Sequence, residues 1–247
     1  MMFSREVLAC LCILVLAQST SSGAMDDEEV SVKNPSNNWW DFLKSRNELP
    51  MIGENVTMDV YPVYDQSFNI SSSGNEQYIE ELFKKVELYL HNRSIMINIT
   101  VKQTITTHNL TVYFDPKKSV DGRRTLENLT KYGESMHKPN NSYFFLFYWT
   151  SEVEQEAVLI DYINLSGPHR PAVSEVSTIN TFCTKNTSAA VVRHKPGSEN
   201  IWSTVKAISR TFGSKHFLNF TDTDWENMNE TFSRCPHREE HGDMLAC

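Results

Sequence analysis

The sequence predicts an α/β fold with a mixed, mostly parallel, twisted sheet covered by long helices. Strand-like and helix-like apolar patterns alternate along the 247-residue chain, which favours parallel strands joined by helices. Residues 143–149 form an unbroken apolar run, typical of a central strand that is buried on both faces. With 40% apolar and 22% charged residues, the composition is that of a globular protein.

Three elements are predicted in succession in the first half of the chain. Residues 56–64 suit a strand, and residues 95–101 alternate apolar and polar side chains as in a half-buried strand. Asn98 is expected on the outward face of that second strand. Between the two strands, helical spacing recurs at Ile79, Leu82, Phe83, Val86 and Leu90.

The second half adds two helices around two strands. Residues 123–137 predict a helix that precedes the central strand at 143–149, and residues 189–193 predict a short further strand. Residues 199–212 predict the last helix. Its buried stripe is expected at Ile201, Val205, Ile208 and Phe212.

The N-terminal residues have the order of a secretory signal. Arg5 precedes an apolar run at 7–17, and residues 18–23 are small and polar. The run of about 11 residues is too short for a bilayer span, which needs about 20. We therefore expect a secreted, extracellular protein without a membrane anchor, with a signal peptide at 1–23, an acidic and polar extension at 24–52, and a folded domain at 53–247.

The net charge of −8 excludes the basic surface that nucleic acid requires. No nucleic-acid partner is expected.

N-glycosylation sequons are more frequent than chance placement of Asn, Ser and Thr would give. Each of the eleven has the form N-x-S/T with no proline between, which predicts a heavily glycosylated surface. They begin at Asn55, Asn69, Asn92, Asn98, Asn109, Asn128, Asn140, Asn164, Asn186, Asn219 and Asn229.

Three cysteines remain once the leader is removed. Cys183, Cys235 and Cys247 permit three single pairings, and each pairing leaves one thiol over. In a secreted chain the leftover cysteine indicates an intermolecular bridge or a missing partner residue.

Three short stretches carry a resemblance to a known family. The sequences CTKN at 183–186, HKPG at 194–197 and STVKAISRTFGSKH at 203–216 resemble the catalytic core of the reprolysin-like metzincins. They are most similar to the secreted metalloproteases of tick saliva. The resemblance extends roughly over residues 53–247 and implies a zincin fold, in which the order of strands and helices agrees.

The family's zinc motif is degenerate in this chain. In the family, two histidines one helical turn apart and a third histidine bind zinc, and a glutamate activates water. The first three of these positions are Lys206, Ala207 and Arg210 here, and only Gly213 and His216 match. Because lysine and arginine are cations and alanine carries no base, the resemblance implies no catalytic residue and no bound zinc, with His216 as the one retained ligand position.

The C-terminal stretch also resembles the family. Cys235-Pro236 and Gly242-Asp-Met244 are similar to its "CP…GYIM" passage, which makes Met244 the candidate for the Met-turn. The family continues into a further helix, whereas this sequence stops at Cys247, so the C-terminal part is expected to be short or truncated.

Two other patterns bear on a metal or anion site. His237 and His241 spell the inverted zincin pattern H-x-x-E-H, but only six residues follow, and that family needs a ligand well downstream. Lys206 and Arg210 share a helical face with Trp202. This face is either solvated or a cationic pocket that accepts a carboxylate, for which an adjacent acidic loop is a candidate.

These observations predict a pseudoprotease that binds an extracellular or host protein at a feeding site, with a peptide segment in the former substrate cleft. No cofactor is expected, or zinc if the family's activity is retained. The first alternative is an active zinc metalloendopeptidase. The second is a small-molecule binding barrel, which would need about eight strands and few helices.

Overall fold

A six-stranded sheet organises the domain. The computed structural model describes residues 50–64, 75–107, 109–113, 119–149, 159–161 and 172–236. The sheet contains β1 (Thr57–Tyr64), β2 (Asn98–Val101), β3 (Ile105–Thr106), β5 (Ser142–Tyr148), β8 (Glu175–Ser177) and β9 (Ser188–Arg193). Its order is β2-β1-β5-β9-β8, with β3 also paired to β1, and every pairing is parallel except β8 with β9. The predicted mixed, mostly parallel sheet is confirmed.

The central strand β5 is the apolar run that the sequence predicts. All seven of its residues are buried, because it lies between β1 and β9 and helices cover both faces of the sheet. Asp59 of β1 stands opposite Ser142, and Tyr143 stands opposite Ser188 of β9. The alternation of β5 sends Tyr143 into one apolar cluster and Phe144 into the other.

Four helices complete the described part of the domain: α1 (Asn75–His91), α2 (Gly122–Ser135), α3 (Trp202–Thr211) and α4 (Asp222–Ser233). Side chains of α1, α3 and α4 join the larger apolar cluster on one face of the sheet, and those of α2 join the smaller cluster on the other. The sequence predicted the first three, with bounds that differ by a few residues. Helix α3 begins at Trp202 rather than at 199, where the Asn200 side chain accepts a hydrogen bond from the Trp202 amide.

Helix α4 was missed by the sequence analysis. Its first turn has a capping box, in which Thr221 accepts from the Asp224 amide and the Asp224 carboxylate accepts from the Thr221 amide. Trp225, Met228 and Phe232 bury its inner face.

A second, three-stranded sheet is formed by strands of two residues each. It has the order β4 (Val120–Asp121), β6 (Leu159–Ile160) and β7 (Ala172–Val173), with β4 and β6 parallel and β6 and β7 antiparallel. Asp121 also caps α2 by accepting a hydrogen bond from the Arg124 amide.

The parallel sheet and its helices are incompatible with the up-and-down barrel weighed above, because such a barrel is built from antiparallel strands. Among the described helices, none is long and apolar enough to cross a bilayer. The predicted leader and most of the extension lie outside the described residues, so the division at 23 and 52 stays a prediction.

Candidate functional site

Helix α3 carries the residues that stand at the family's zinc-motif positions. Lys206 and Arg210 lie one turn apart on the helix, and their side chains are about one-third exposed, at 33% and 30%. Ala207 is buried against the sheet. The two cations are therefore half-buried at the edge of the domain rather than fully solvated.

A buried carboxylate faces both cations. Glu175 lies on the edge strand β8, and its side chain is fully buried. The next residue, Val176, points to the α2 face, so Glu175 points to the opposite face, where α3 packs. The Lys206 Nζ is 2.8 Å from Glu175 Oε1, and the Arg210 Nη1 is 3.7 Å from the same oxygen. We call these three residues the ion cluster.

The ion cluster is held by charge more than by directed bonds. Among the described residues, neither oxygen of Glu175 receives a hydrogen bond of good angular geometry, although Lys206 is in close contact. One carboxylate opposite two cations leaves a formal charge of +1. Since a buried carboxylate without a cation is strongly unfavourable, Lys206 and Arg210 permit Glu175 to be buried.

A hydrogen-bonded tyrosine lies next to the ion cluster. The Tyr143 hydroxyl of β5 is 3.1 Å from the Ala207 carbonyl oxygen and 2.7 Å from Thr211 Oγ1. Burial raises the pKa of this phenol far above its usual value, the Thr211 bond opposes the rise, and the charge of Glu175 adds to it. Tyr143 is therefore a neutral hydrogen-bonding residue that fixes α3 to the central strand.

His216, the retained ligand position, is oriented by α4. Its Nδ1 is 2.7 Å from Asp224 Oδ2, and its side chain is 56% exposed. Burial favours a higher pKa for the Asp224 carboxyl, but hydrogen bonds from Thr221, the Lys215 amide and His216 hold it well below its usual range. The carboxylate is therefore ionised, and it fixes the imidazole through Nδ1.

Gly213 provides the turn between α3 and His216. Its φ is 93°, a left-handed conformation that glycine adopts without strain. A Cβ at this position would lie 3.2 Å from Asn180 Oδ1. The turn that the resemblance assigns to Gly213 is thus present in the backbone.

The donor set does not fit zinc. Lysine and arginine in the first and second histidine positions are cations that repel a metal ion, and Ala207 offers no donor. Within the described ranges, no group of three or more His, Cys, Asp or Glu residues is arranged to hold a metal ion.

The remaining histidine candidates differ in position. His194 is buried, and its Nε2 is hydrogen-bonded to the Tyr78 hydroxyl, which also donates to the Ser198 carbonyl at 2.9 Å. Burial lowers the pKa of His194 to about 4. It is therefore a neutral core residue, whereas His237, His241 and the Met-turn candidate Met244 lie outside the described residues.

One of the three possible disulfides forms. Cys183 and Cys235 are bonded, with 4.9 Å between their Cα atoms, and this bond ties the loop before β9 to the end of α4. Cys247 lies outside the described residues.

The sequon asparagines are mostly exposed. Nine of the eleven lie in the described ranges, and Asn69 and Asn164 lie outside them. Eight of the nine are exposed. Asn128 is the exception, because it is half-buried on α2 and its Nδ2 donates to the Leu110 carbonyl at 3.1 Å.

Strand β8 lies at the edge of the main sheet, and its three residues are buried. Val176 stands opposite Val191, the Thr178 amide donates to Ala189, and the Arg193 amide donates to Ser174. Because antiparallel pairing alternates, the amides and carbonyls of Glu175 and Ser177 point away from β9. In the described part of the chain, β8 is the last strand on this side.

Sequence reasoning missed Glu175 and Asp224. No signal marks Glu175, which sits in the short stretch AVSEVS. Asp224 could have been found, since T-x-x-D at Thr221 is a capping signature. The notion that a nearby acid compensates the α3 cations was correct, but the acid comes from an edge strand rather than from an acidic loop.

No protein-family model matches the chain, and no curated protein matches it. Among solved structures, it is similar to metalloproteinase-II from Bacteroides fragilis, with a TM-score of 0.42 and 13% identity, covering 74% of this chain and 57% of that one. It is also similar to archaemetzincin from Methanopyrus kandleri, with a TM-score of 0.38 and 14% identity, covering 70% and 86%. A structure of a chaperone–substrate complex matches with a TM-score of 0.42 and 10% identity, covering 66% and 24%. The chain spans about a quarter of the chaperone-complex chain and just over half of metalloproteinase-II.

Proposed function

We propose that this chain is a secreted, N-glycosylated, metzincin-like protein that has lost catalysis and acts by binding an extracellular protein. The leader pattern and the eleven sequons support secretion. The motif stretch at 183–216 supports the metzincin relationship, with Gly213 turning the chain after α3. The resemblance of this motif stretch to tick salivary metalloproteases supports a host protein at a feeding site as the proposed partner.

The ion cluster is the observation that carries the loss of catalysis. Lys206 and Arg210 occupy two zinc-ligand positions, and the buried carboxylate of Glu175 lies against both. Ala207 replaces the base that would activate water. A zinc ligand needs an unpaired donor atom. The side chains at these two positions are instead cations that are paired with a buried carboxylate.

The edge strand gives the proposed partner its chemistry. The backbone groups of Glu175 and Ser177 point away from β9, but these residues are only 1% and 7% exposed. An extended peptide would pair with β8 by displacing what covers this edge, without any reaction. The neighbouring cluster has a formal charge of +1 and cations that are one-third exposed. An extended segment that carries a carboxylate matches both features.

The first experiment measures zinc and proteolysis together. The secreted protein is purified without added metal, its zinc content is determined by elemental analysis, and a broad peptide library is incubated with it in the presence and absence of a chelator. We expect zinc far below one equivalent and no chelator-sensitive cleavage. Stoichiometric zinc with chelator-sensitive cleavage would establish the active metalloendopeptidase instead.

The second experiment tests the binding site. A displayed library of extended peptides is selected on the wild-type protein. The affinity of each bound peptide is then compared with that of the same peptide in which the carboxylates are replaced by amides. We expect carboxylate-bearing peptides to lose at least tenfold in affinity on the Arg210→Ala variant. The Lys131→Ala variant is the matched control, because Lys131 is an exposed cation on α2, which packs on the other face of the sheet. Unchanged affinity in Arg210→Ala would refute this binding site.

A further inference from the structure

A cavity lies away from the ion cluster, on the α2 side of the sheet. It has a volume of about 200 Å³ and is bounded by the C-terminal end of α2, the start of β5 and the loop at 184–187. That volume has room for one sugar ring but is smaller than the pockets that hold drug-sized ligands.

The lining of this cavity mixes hydrogen-bond donors and acceptors. His137, Lys138 and Lys185 contribute donors, whereas Glu134 contributes a carboxylate. The C-terminal end of α2 also adds partial negative charge. The two lysines exceed the one glutamate by a single formal charge, which the partial negative charge at the end of α2 partly offsets. The nearly balanced lining suits a ligand whose hydroxyl and amide groups both donate and accept.

One buried hydroxyl in the lining has no partner. Ser142 is only 5% exposed, and its Oγ makes no hydrogen bond with the described residues. Because side chains alternate along β5, Ser142 shares its face with Phe144, which also lines the cavity. A buried hydroxyl without a partner is unfavourable. Its oxygen has less than 1 Å² of accessible surface, so a polar ligand in the cavity would satisfy it only by displacing an atom that covers it.

The rim of the cavity carries two glycosylation sequons. Asn140 and Asn186 both line it, both are exposed, and each begins an N-x-S sequon. The first sugar of an N-glycan at either asparagine would start at the mouth of the cavity. That sugar, N-acetylglucosamine, carries hydroxyls and one amide and no charge.

We propose that this cavity binds the first N-acetylglucosamine of an N-glycan that the chain itself carries, at Asn186 or Asn140. The sugar places polar groups beside Ser142 and between the donors and acceptors of the lining. Its role is to stabilise the contact between α2, β5 and the loop at 184–187. The proposal rests on the secretion and glycosylation proposed above, but not on the loss of catalysis or on the peptide site.

The test compares three forms of the protein from a glycosylating host that adds only high-mannose chains. One form is intact, a second is trimmed by an endoglycosidase that leaves a single N-acetylglucosamine, and a third is stripped by an amidase. The amidase removes every sugar and leaves aspartate at each carrier position, so the Asn→Gln variants below control for the added charge. Glycopeptide mass spectrometry gives the occupancy of each site. Hydrogen exchange is then measured for the amides of residues 133–142 and 184–188.

We expect the trimmed form to match the intact one and the stripped form to exchange at least threefold faster in these two segments. Either Asn186→Gln or Asn140→Gln should reproduce the faster exchange and so identify the source of the sugar. Asn92→Gln is the matched control, because Asn92 is an exposed sequon asparagine in the turn after α1, and it should leave both segments unchanged.

Ser142 is also the third residue of the Asn140 sequon, so a Ser142→Ala variant removes that glycan together with the hydroxyl. It is therefore compared with Asn140→Gln, which removes the same glycan and keeps the hydroxyl. Relative to Asn140→Gln, the difference in exchange between trimmed and stripped forms should shrink in Ser142→Ala. The proposal is overturned if both asparagines are unmodified while other sequons are occupied. It is equally overturned if trimmed and stripped forms exchange alike. Either result leaves the zinc and peptide experiments, and hence the proposed function, unaffected.

Discussion

The ammonium nitrogen of Lys206 lies 2.8 Å from the carboxylate of Glu175, across the space between helix α3 and the edge strand β8. Glu175 is fully buried on its side of the pair, and Lys206 is one-third exposed. Solvent therefore reaches the cation but not the carboxylate. This asymmetry determines which substitution is harmful.

Removing both cations should destabilise the domain. We expect the Lys206→Met/Arg210→Met double variant to lose about 2 kcal/mol in free energy of unfolding, because it leaves Glu175 buried without a counter-ion, a loss moderated by solvent access. Of the single variants, Lys206→Met should be the more harmful, since Lys206 is closer to Glu175. Urea unfolding followed by circular dichroism measures both.

A triple variant provides the control for that prediction. Adding Glu175→Gln to the double variant removes the uncompensated charge and should recover at least half of the lost stability. If the triple variant proves less stable than the double one, the ion cluster does not work through charge compensation.

The disulfide should contribute a large share of the stability. Cys183 and Cys235 are separated by 52 positions in sequence. A cross-link that closes a loop of this size lowers the entropy of the unfolded chain and raises its free energy by about 4 kcal/mol. We expect Cys183→Ala/Cys235→Ala to lose a comparable amount in denaturant unfolding. Wild-type protein under reducing conditions should lose a similar amount, and equal stability with and without reductant would contradict the prediction.

Stability should depend on the protonation of His194. Burial lowers its pKa to about 4 from the usual 6.5, so the unfolded chain binds the proton more readily. Its contribution is fully present above pH 6.5 and is lost as the pH falls towards 4, by about 3 kcal/mol in total. The midpoint of thermal unfolding, measured from pH 7.5 to 4, should therefore fall across this window.

The His194→Gln variant isolates this effect. Glutamine keeps a polar group beside Tyr78 but does not titrate, so its unfolding midpoint should fall less between pH 6.5 and 4. The Asp224 carboxyl, whose pKa is also lowered, acts in a different window, because its contribution is lost only below its ordinary value of 3.8. Identical pH profiles for wild type and variant would exclude His194 as the source.

Asn128 should remain largely unmodified in the secreted protein. Its side chain donates to the Leu110 carbonyl. A glycan would replace one of the two hydrogens on that nitrogen and put a sugar against the half-buried face of α2 where this carbonyl lies. We expect its occupancy to be far below that of exposed Asn92, as measured by glycopeptide mass spectrometry. A high occupancy at Asn128 would mean that the contact with Leu110 does not form in the mature protein.

Four strands of the main sheet and three helices could be predicted because their signals are local. Apolar patterning is a property of consecutive residues. It marked six of the seven buried residues of β5 and the buried Val205 and Ile208 of α3. Strand β8 has three residues, too few for a period to show. It exists because β9 offers a partner, which is a relationship between distant parts of the chain.

The candidate site was predictable on one side only. The motif positions on α3 placed Lys206 and Arg210 on a shared face, but their partner Glu175 lies 31 and 35 positions away, in a stretch with no pattern. Burial of a single carboxylate depends on which strand reaches the helix, and the sequence does not encode that locally. The disulfide was undetermined for the same reason, since three cysteines allow three pairings.

The position of β5 between β1 and β9 bears on how the protein acquires its structure. Its residues pair with partners more than 40 positions away on either side, such as Asp59 with Ser142 and Tyr143 with Ser188. Parallel pairings over such distances form slowly, because loop closure precedes any gain from contact. During synthesis the most apolar strand therefore emerges before its second neighbour exists. We expect the nascent chain to depend on chaperones until residue 193 has been translated.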